Sequence, residues 1–128
     1  MHKTINNLEE IKDKLNQLKA DLSENVRIIA ISKTFLIEDI KPLIEYGHED
    51  FGENKIQEAV NKWSDIKNKN PKLKLHMVGK IQTNKVKFLL PLFDYIHSLD
   101  NLKLAQKISD EEIKKKKKTK NFYTSKYR

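Results

Sequence analysis

A chain of 128 residues, of which 38% are hydrophobic and 34% charged, has the size and composition of one globular domain. It contains no cysteine, which excludes disulfides, thiolate metal sites and cysteine nucleophiles, and its four histidines lack the spacing of a metal site. It also lacks an apolar run of about 18 residues and the apolar core of a signal peptide, so we expect a cytoplasmic protein with no membrane partner.

The net charge of +8 is concentrated at one end of the chain. Eight of the 26 basic residues lie from Lys114 onwards, and the other 18 are balanced by 18 acidic residues, all of which precede Lys114. We therefore divide the chain into a neutral domain, 1–113, and a basic tail, 114–128. A lysine-rich tail can bind phosphates non-specifically, so one alternative function is a nucleic-acid or anionic-surface binder. The neutrality of residues 1–113 argues against specific nucleic-acid recognition.

Hydrophobic spacing predicts that helices and strands alternate along the chain. Apolar residues at steps of three and four predict helices, and a run of mostly β-branched residues at 26–31 predicts a buried strand. The predicted helices cover 4–22, 37–46, 54–67, 82–90 and 102–108, and the predicted strands cover 26–31, 50–54, 73–78 and 93–97. This alternation requires parallel strands joined by right-handed crossovers, which is an α/β architecture.

Each predicted strand ends in small or polar residues, such as Lys33, Asn54, Gly79 and His97. The carboxyl ends of parallel strands meet at one edge, where ligands bind in barrels and open sheets. A lysine that is partly desolvated at such an edge can attack an aldehyde, whereas the simpler interpretation of Lys33 is a surface residue that follows a strand. No glycine-rich fingerprint follows any strand, so neither a Rossmann nor a P-loop nucleotide site is predicted.

Four stretches resemble, in order and spacing, the motifs of the pyridoxal phosphate homeostasis protein family, whose barrel is related to the amino-terminal barrel of alanine racemase. They are Ala-Ile-Ser-Lys-Thr at 30–34, Phe-Gly-Glu-Asn-Lys-Ile-Gln-Glu at 51–58, His-Met-Val-Gly-Lys-Ile-Gln-Thr-Asn-Lys at 76–85 and Ile-His-Ser-Leu-Asp at 96–100. The resemblance implies a partial TIM-type (β/α)8 barrel. A complete barrel needs about 200 residues or more, so this chain would supply about four strand–helix units, the amino-terminal half.

The resemblance also implies a function and a site. The family binds pyridoxal 5'-phosphate (PLP) and is associated with intracellular PLP homeostasis, meaning cofactor buffering and delivery, without established turnover. Lys33 would hold PLP covalently as an aldimine, Asn54 would lie near the cofactor ring, and His76 and Gly79 would line the same mouth. The expected partners are PLP and the PLP-dependent apoenzymes that receive it.

Alternatives remain open for the function and for three of these residues. A PLP-dependent enzyme acting on amino acids, such as a racemase, would need a second acid–base residue opposite the lysine. Asn54 can instead be a helix N-cap, His76 a hydrogen-bonded core histidine, and Gly79 a requirement of the chain's turn alone. The aromatic residues Phe51 and Trp63 are predicted to be core.

A half barrel has consequences for assembly. Its outer strands have no neighbour on one side, and unpaired strand edges favour association with another chain. We expect a full-length family member to be a monomer and this chain, as a truncated form, to be marginally stable and to self-associate.

The tail departs from the family, which continues after Ile113 into a strand resembling Ile-Gln-Val-Asn-Ile. Back-translated with A/T-rich codons and read one base later, residues 119–128 give Leu-Lys-Ile-Phe-Ile-Gln-Val-Asn-Ile, which resembles that strand. We infer that a base was gained or lost in the codons of the lysine run 114–118, either by mutation or by a sequencing error, so that the tail is frameshifted from about Lys118.

Sequencing the gene across the lysine codons tests this interpretation. We expect a one-base change that joins residues 1–113 to the second half of the family in a single frame. An intact frame, with no remainder of the family downstream, would contradict it.

Overall fold

The computed structural model describes residues 2–18, 27–33, 35–99, 102–115 and 120–123. Its helices are α1 (Lys3–Leu18), α2 (Ile37–Tyr46), α3 (Ile56–Lys69), α4 (Val86–Leu89) and α5 (Leu102–Lys115), and a 3-10 turn at Thr83–Lys85 leads into α4. Its strands are β1 (Ala30–Ile31), β2 (Asp50–Glu53), β3 (Lys74–Met77), β4 (Tyr95–Leu99) and β5 (Lys120–Tyr123). None of the helices in these ranges combines the length and the apolar character that a bilayer span requires.

The five strands form one parallel sheet in the order β1-β2-β3-β4-β5, so each strand pairs with its neighbours along the chain. Parallel strands in sequential order, with helices between them, are the α/β arrangement predicted from the alternation, and that prediction is confirmed. β1 and β5 are the two edges of the sheet, and within the described residues neither pairs with a further strand. The sheet is therefore open at both edges.

The first strand is shorter than the hydrophobic run predicts. β1 has only two residues, with Ala30 opposite Phe51 and Ile31 opposite Gly52. β2 begins at Asp50, so Arg27 and Ile28 precede the start of the partner strand in this register. Residues 19–26, which include the end of the predicted first helix and the first residue of the predicted strand, lie outside the described residues.

The remaining differences lie in the second half of the chain. The predicted helix at 82–90 is a 3-10 turn followed by the single turn of α4. The predicted boundary between 113 and 114 falls inside α5, which continues to Lys115. β5 was not predicted, because the tail was interpreted by its lysines although Phe122 and Tyr123 are residue types that favour strands. The reading-frame interpretation concerns the gene and stays a prediction.

One face of the sheet carries the apolar core. Phe51 lies opposite Leu75 in the strand register, and Met77 lies opposite Ile96, and all four side chains are buried. Trp63 of α3 packs on this face with its ring centroid 5.0 Å from that of Phe51. Burying a side chain such as Phe51 stabilises the fold by roughly 1.5–3 kcal/mol. The predicted core roles of Phe51 and Trp63 are confirmed.

The opposite face carries a row of polar side chains. Gly52 on this face lies opposite His76, which in turn lies opposite Tyr95. Arg27 donates from Nη2 to Oδ1 of Asp50 at 2.5 Å and from Nη1 to the Tyr95 hydroxyl at 2.7 Å. An ion pair and a phenol therefore tie the segment before β1 to β2 and β4.

Two histidines continue this polar row. His76 Nε2 lies 2.8 Å from Asp50 Oδ1, and His76 Nδ1 lies 2.8 Å from His97 Nε2. The His76 ring also stacks on Tyr95 with 4.3 Å between ring centroids. Burial lowers the pKa of both histidines below 6.5, and the hydrogen bond and charge of Asp50 only partly oppose this at His76. Both rings are therefore favoured in the neutral form.

The ends of β2 and β3 approach each other closely at Gly79. A Cβ atom built on Gly79 would lie 2.7 Å from the carbonyl oxygen of Asn54 and 2.8 Å from its Cβ. Contacts this short with backbone and Cβ atoms cannot be relieved by moving a flexible side chain. Gly79 is thus required where the chain leaves β3 against Asn54.

We expect Gly79→Ala to lower the free energy of unfolding, because the added methyl group must displace the Asn54 backbone. Overpacking of this kind typically costs about 1–3 kcal/mol. Urea unfolding followed by circular dichroism measures the change. A variant as stable as the wild type would show that the two strand ends are further apart than the structure places them.

The lowered histidine pKa values predict a pH dependence of stability. Because the unfolded chain binds more protons than the folded chain below about pH 6.5, stability should fall as the pH drops from there through the lowered pKa values. We expect a lower urea midpoint at about pH 5.5 than at about pH 7.5, and a smaller difference in His97→Gln. His2→Gln, which removes an exposed histidine, is the matched control and should keep the wild-type difference. Equal midpoints at the two pH values in the wild type would contradict the assignment.

Candidate functional site

The carboxyl ends of β1, β2 and β3 lie side by side and form a continuous rim along the end of the sheet where these strands finish. The Ser32 amide donates to the carbonyl of Gly52 at 2.9 Å, and the Val78 amide donates to the carbonyl of Glu53 at 3.0 Å. These bonds continue the parallel pairing beyond the last residues of β1 and β3. Lys33, Asn54 and Gly79, each of which comes directly after one of these bonded positions, are therefore brought to the same edge, as predicted for parallel strands.

Lys33 follows β1 in a turn, in which the Phe35 amide donates to the carbonyl of Ser32 at 3.2 Å. Its side chain is exposed, and within the described part of the chain no ion pair involves its amine. Partial desolvation, the condition under which such a lysine attacks an aldehyde, is not met by Lys33 within the described residues, because β1 is an edge strand and no neighbouring strand covers that side. The amine is accessible to a small molecule but is not sheltered from water.

Asn54 and Gly79 form the neighbouring part of the rim, where the chain leaving β3 passes against the Asn54 backbone. The alternative interpretation of Asn54 as a helix cap is not supported. The N-cap position of α3 is Lys55, and no side chain caps this helix. The Asn54 side chain therefore has no capping role, and it is half-buried beside the rim.

His76 lies within β3, three residues before Gly79, rather than at the strand's end. It is only 2% exposed, and its two ring nitrogens contact Asp50 and His97. These contacts are those of a hydrogen-bonded buried histidine, the simpler of the two interpretations. Its predicted place at the mouth of the site stays a prediction.

Sequence reasoning missed a buried carboxylate behind the rim. Glu53 is 0% exposed, and its Oε2 atom accepts hydrogen bonds from Ser32 Oγ at 2.5 Å, from Trp63 Nε1 at 2.9 Å and from Lys62 Nζ at 3.0 Å. The Lys62 ammonium also donates to the carbonyl oxygen of Ser32. A signal was present, since Glu53 alternates with the core residue Phe51 along β2 and must share its buried face.

This cluster, formed by Ser32, Glu53, Lys62 and Trp63, joins three elements. Ser32 follows β1, Glu53 ends β2, and the lysine and tryptophan lie on α3. The other carboxylate oxygen of Glu53, Oε1, is buried and makes no hydrogen bond. Among the residues that the structure describes, no group of three histidine or acidic side chains has the arrangement of a metal site. The chemistry available at the rim is therefore that of an accessible amine with polar neighbours.

Two curated proteins similar to this chain share one name. The pyridoxal phosphate homeostasis protein of Synechocystis sp. is 37% identical over 102 residues, which cover 78% of this chain and 46% of that protein. The protein of that name from Escherichia coli K12 is 30% identical over 115 residues, which cover 87% of this chain and 49% of that protein. The chain thus spans about half the length of the curated relatives it matches. No family model matches it.

Solved structures give the same relationship. PipY of Synechococcus elongatus, whose structures were determined with PLP bound and without it, is 32% identical to this chain with a TM-score of 0.73. The match covers 87% of this chain and 51% of the structure without PLP. The fold is part of a TIM-type (β/α) barrel, and the predicted fold class is confirmed. By sequence and by structure, this chain belongs to the pyridoxal phosphate homeostasis protein family, of which it spans about half the length.

Proposed function

We propose that this chain is the part of a PLP homeostasis protein that holds PLP covalently through Lys33. The observation that carries the proposal is the placement of an exposed lysine amine, with no ion pair among the described residues, at the rim that Asn54 and Gly79 share. The relatives' name and the PLP-bound PipY structure supply the ligand class. The role is cofactor buffering and delivery rather than turnover.

The residues at the rim fit a small aromatic aldehyde. The neutral Lys33 amine condenses with the aldehyde carbon, so that a C=N bond replaces the C=O bond and the oxygen leaves as water. The Asn54 amide offers both a donor and an acceptor to polar ring substituents. Because Gly79 has no side chain, the chain leaving β3 can pass directly against the Asn54 backbone, which sets the position of Asn54 at the rim. When bound, PLP supplies an electron-withdrawing ring, which a carrier protein protects rather than uses.

The exposure of Lys33 predicts weak and reversible binding. Water reaches a linkage formed on its amine, and this chain supplies only about half of the barrel that surrounds the ligand in a full-length relative. We expect the chain to bind PLP reversibly and more weakly than a full-length relative does. Reversible release suits delivery to PLP-dependent apoenzymes, which are the proposed recipients.

The open edges of the sheet bear on assembly. β1 and β5 each leave one row of backbone donors and acceptors without a strand partner in the described structure, and such rows pair readily with another chain. We propose that this chain self-associates at these edges. In a full-length relative, the remaining strands of the barrel would cover both edges, so that protein would be a monomer.

We expect Lys33→Ala to abolish covalent PLP binding. The wild type should gain an absorbance band towards the visible region on addition of PLP, and borohydride should fix the label on Lys33, because this lysine directly follows β1 at the rim that Asn54 and Gly79 share. Lys41→Ala, which removes an exposed lysine on α2, is the matched control and should keep both signals. A Lys33→Ala variant with the wild-type band and label, or a wild type with neither, would contradict the proposal.

A further inference from the structure

Resting on the proposed function, we infer that Glu53 and Lys62 form a buried positioning pair that holds Lys33 at the rim. Neither side chain is at the rim itself. Glu53 is fully buried, the Lys62 side chain is 9% exposed, and the two are joined by an ion pair of 3.0 Å. Their common target is Ser32, the residue directly before Lys33.

The pair fixes the backbone of Ser32 from two sides. The Ser32 hydroxyl donates to Glu53 Oε2 at 2.5 Å, and the carbonyl oxygen of Ser32 accepts from the Lys62 ammonium. The Ser32 amide is already bonded to the carbonyl of Gly52. The carbonyl held by Lys62 belongs to the peptide bond whose nitrogen is that of Lys33. Every polar group of Ser32 thus makes a hydrogen bond, and the plane of the peptide bond between Ser32 and Lys33 is fixed.

Lys33 needs this support because its own strand is weak. β1 is two residues long and has a partner on one side only, so few ladder bonds hold its end. The Glu53 and Lys62 side chains come from β2 and α3, which are longer and packed through Phe51 and Trp63. They connect the lysine to the rigid part of the fold, as residues that orient a reactive group commonly do.

The free-energy cost of burying this ion pair indicates that it has a role beyond packing the core. A buried ion pair loses hydration that its mutual attraction often fails to repay, and apolar residues of similar volume are frequently as stable or more stable. Here the cost is increased because Glu53 Oε1 is buried without a hydrogen bond. The neighbouring positions on the same face, Phe51 and Met77, are apolar. If the side chain at position 53 only filled the core, an apolar residue there would do so at a lower cost in free energy.

If the pair positions Lys33, replacing it should slow the reaction of Lys33 with an aldehyde while the chain remains folded. The double variant Glu53→Leu/Lys62→Met removes both charges together, so it should stay folded, with a urea midpoint lowered only modestly by the loss of the acceptor for the buried Trp63 Nε1. Its Ser32 hydroxyl and carbonyl keep only the longer contacts, both of 3.2 Å, with the Gly52 carbonyl and the Phe35 amide. Lys33 should therefore react with PLP more slowly, by on the order of tenfold. The single variant Lys62→Arg keeps a cationic donor, so its Lys33 should react with PLP at close to the wild-type rate. The single variant Lys62→Met lacks this donor, so its Lys33 should react slowly.

The experiment measures the rate of PLP labelling in the presence of cyanoborohydride on the full chain, with the labelled lysine identified by peptide mass spectrometry. Circular dichroism and urea midpoints report folding of each variant, and Lys41→Met, an exposed lysine on α2, is the control. Slow labelling of Lys33 in a folded double variant, with recovery in Lys62→Arg, supports the inference. Labelling of Lys33 at the wild-type rate in the folded double variant overturns the inference alone. A wild-type label on another residue overturns the proposed function, and this inference falls with it.

Discussion

The position of Lys33 depends on hydrogen bonds that its own strand does not supply. β1 contributes two ladder residues at an open edge, while the residue before the lysine is bonded to Gly52 and Glu53 of β2 and to Lys62 of α3. The end of the edge strand that leads to Lys33 is therefore attached to a buried part of the sheet. A buried carboxylate, costly in free energy, is the centre of that attachment.

The two faces of the sheet differ in composition. The face packed on α3 contains the apolar residues that drive burial, together with the single charged cluster behind the rim. The opposite face, which in a complete barrel is the interior, carries Arg27, Asp50, His76 and Tyr95 in place of the branched apolar residues that usually fill barrel cores. The side chains of this row cover one another, so that His76 and Tyr95 are only 2% and 8% exposed.

The fold was largely predictable from the sequence, because hydrophobic periodicity and strand-end residues are local signals. The alternation of elements, the parallel sheet and the buried positions of Phe51 and Trp63 all follow from spacing. The length of β1 did not, since it depends on the pairing with β2, which the hydrophobic run of β1 alone does not show. β5 was missed because the lysines of the tail dominate its composition, while its two aromatic residues carry the strand preference.

The site was predictable only in part. The residues at the rim could be found because strand ends converge in any parallel sheet, and the motifs of the family lie at those ends. The role of Glu53 could not be found from spacing, since alternation places its side chain on the buried face without naming Lys62, nine residues later, as its partner. The exposure of Lys33 likewise depends on which strands lie beside β1, and this is a property of the tertiary structure.

The most direct measurement of the central claim is a crystal structure of the chain grown with PLP. Continuous electron density from Lys33 Nζ to the cofactor, with Asn54 and Gly79 beside it and the Ser32 carbonyl still bonded to Lys62, is the result expected here. Density for PLP on a different lysine, or on the polar face around His76 with Lys33 unmodified, would contradict the account.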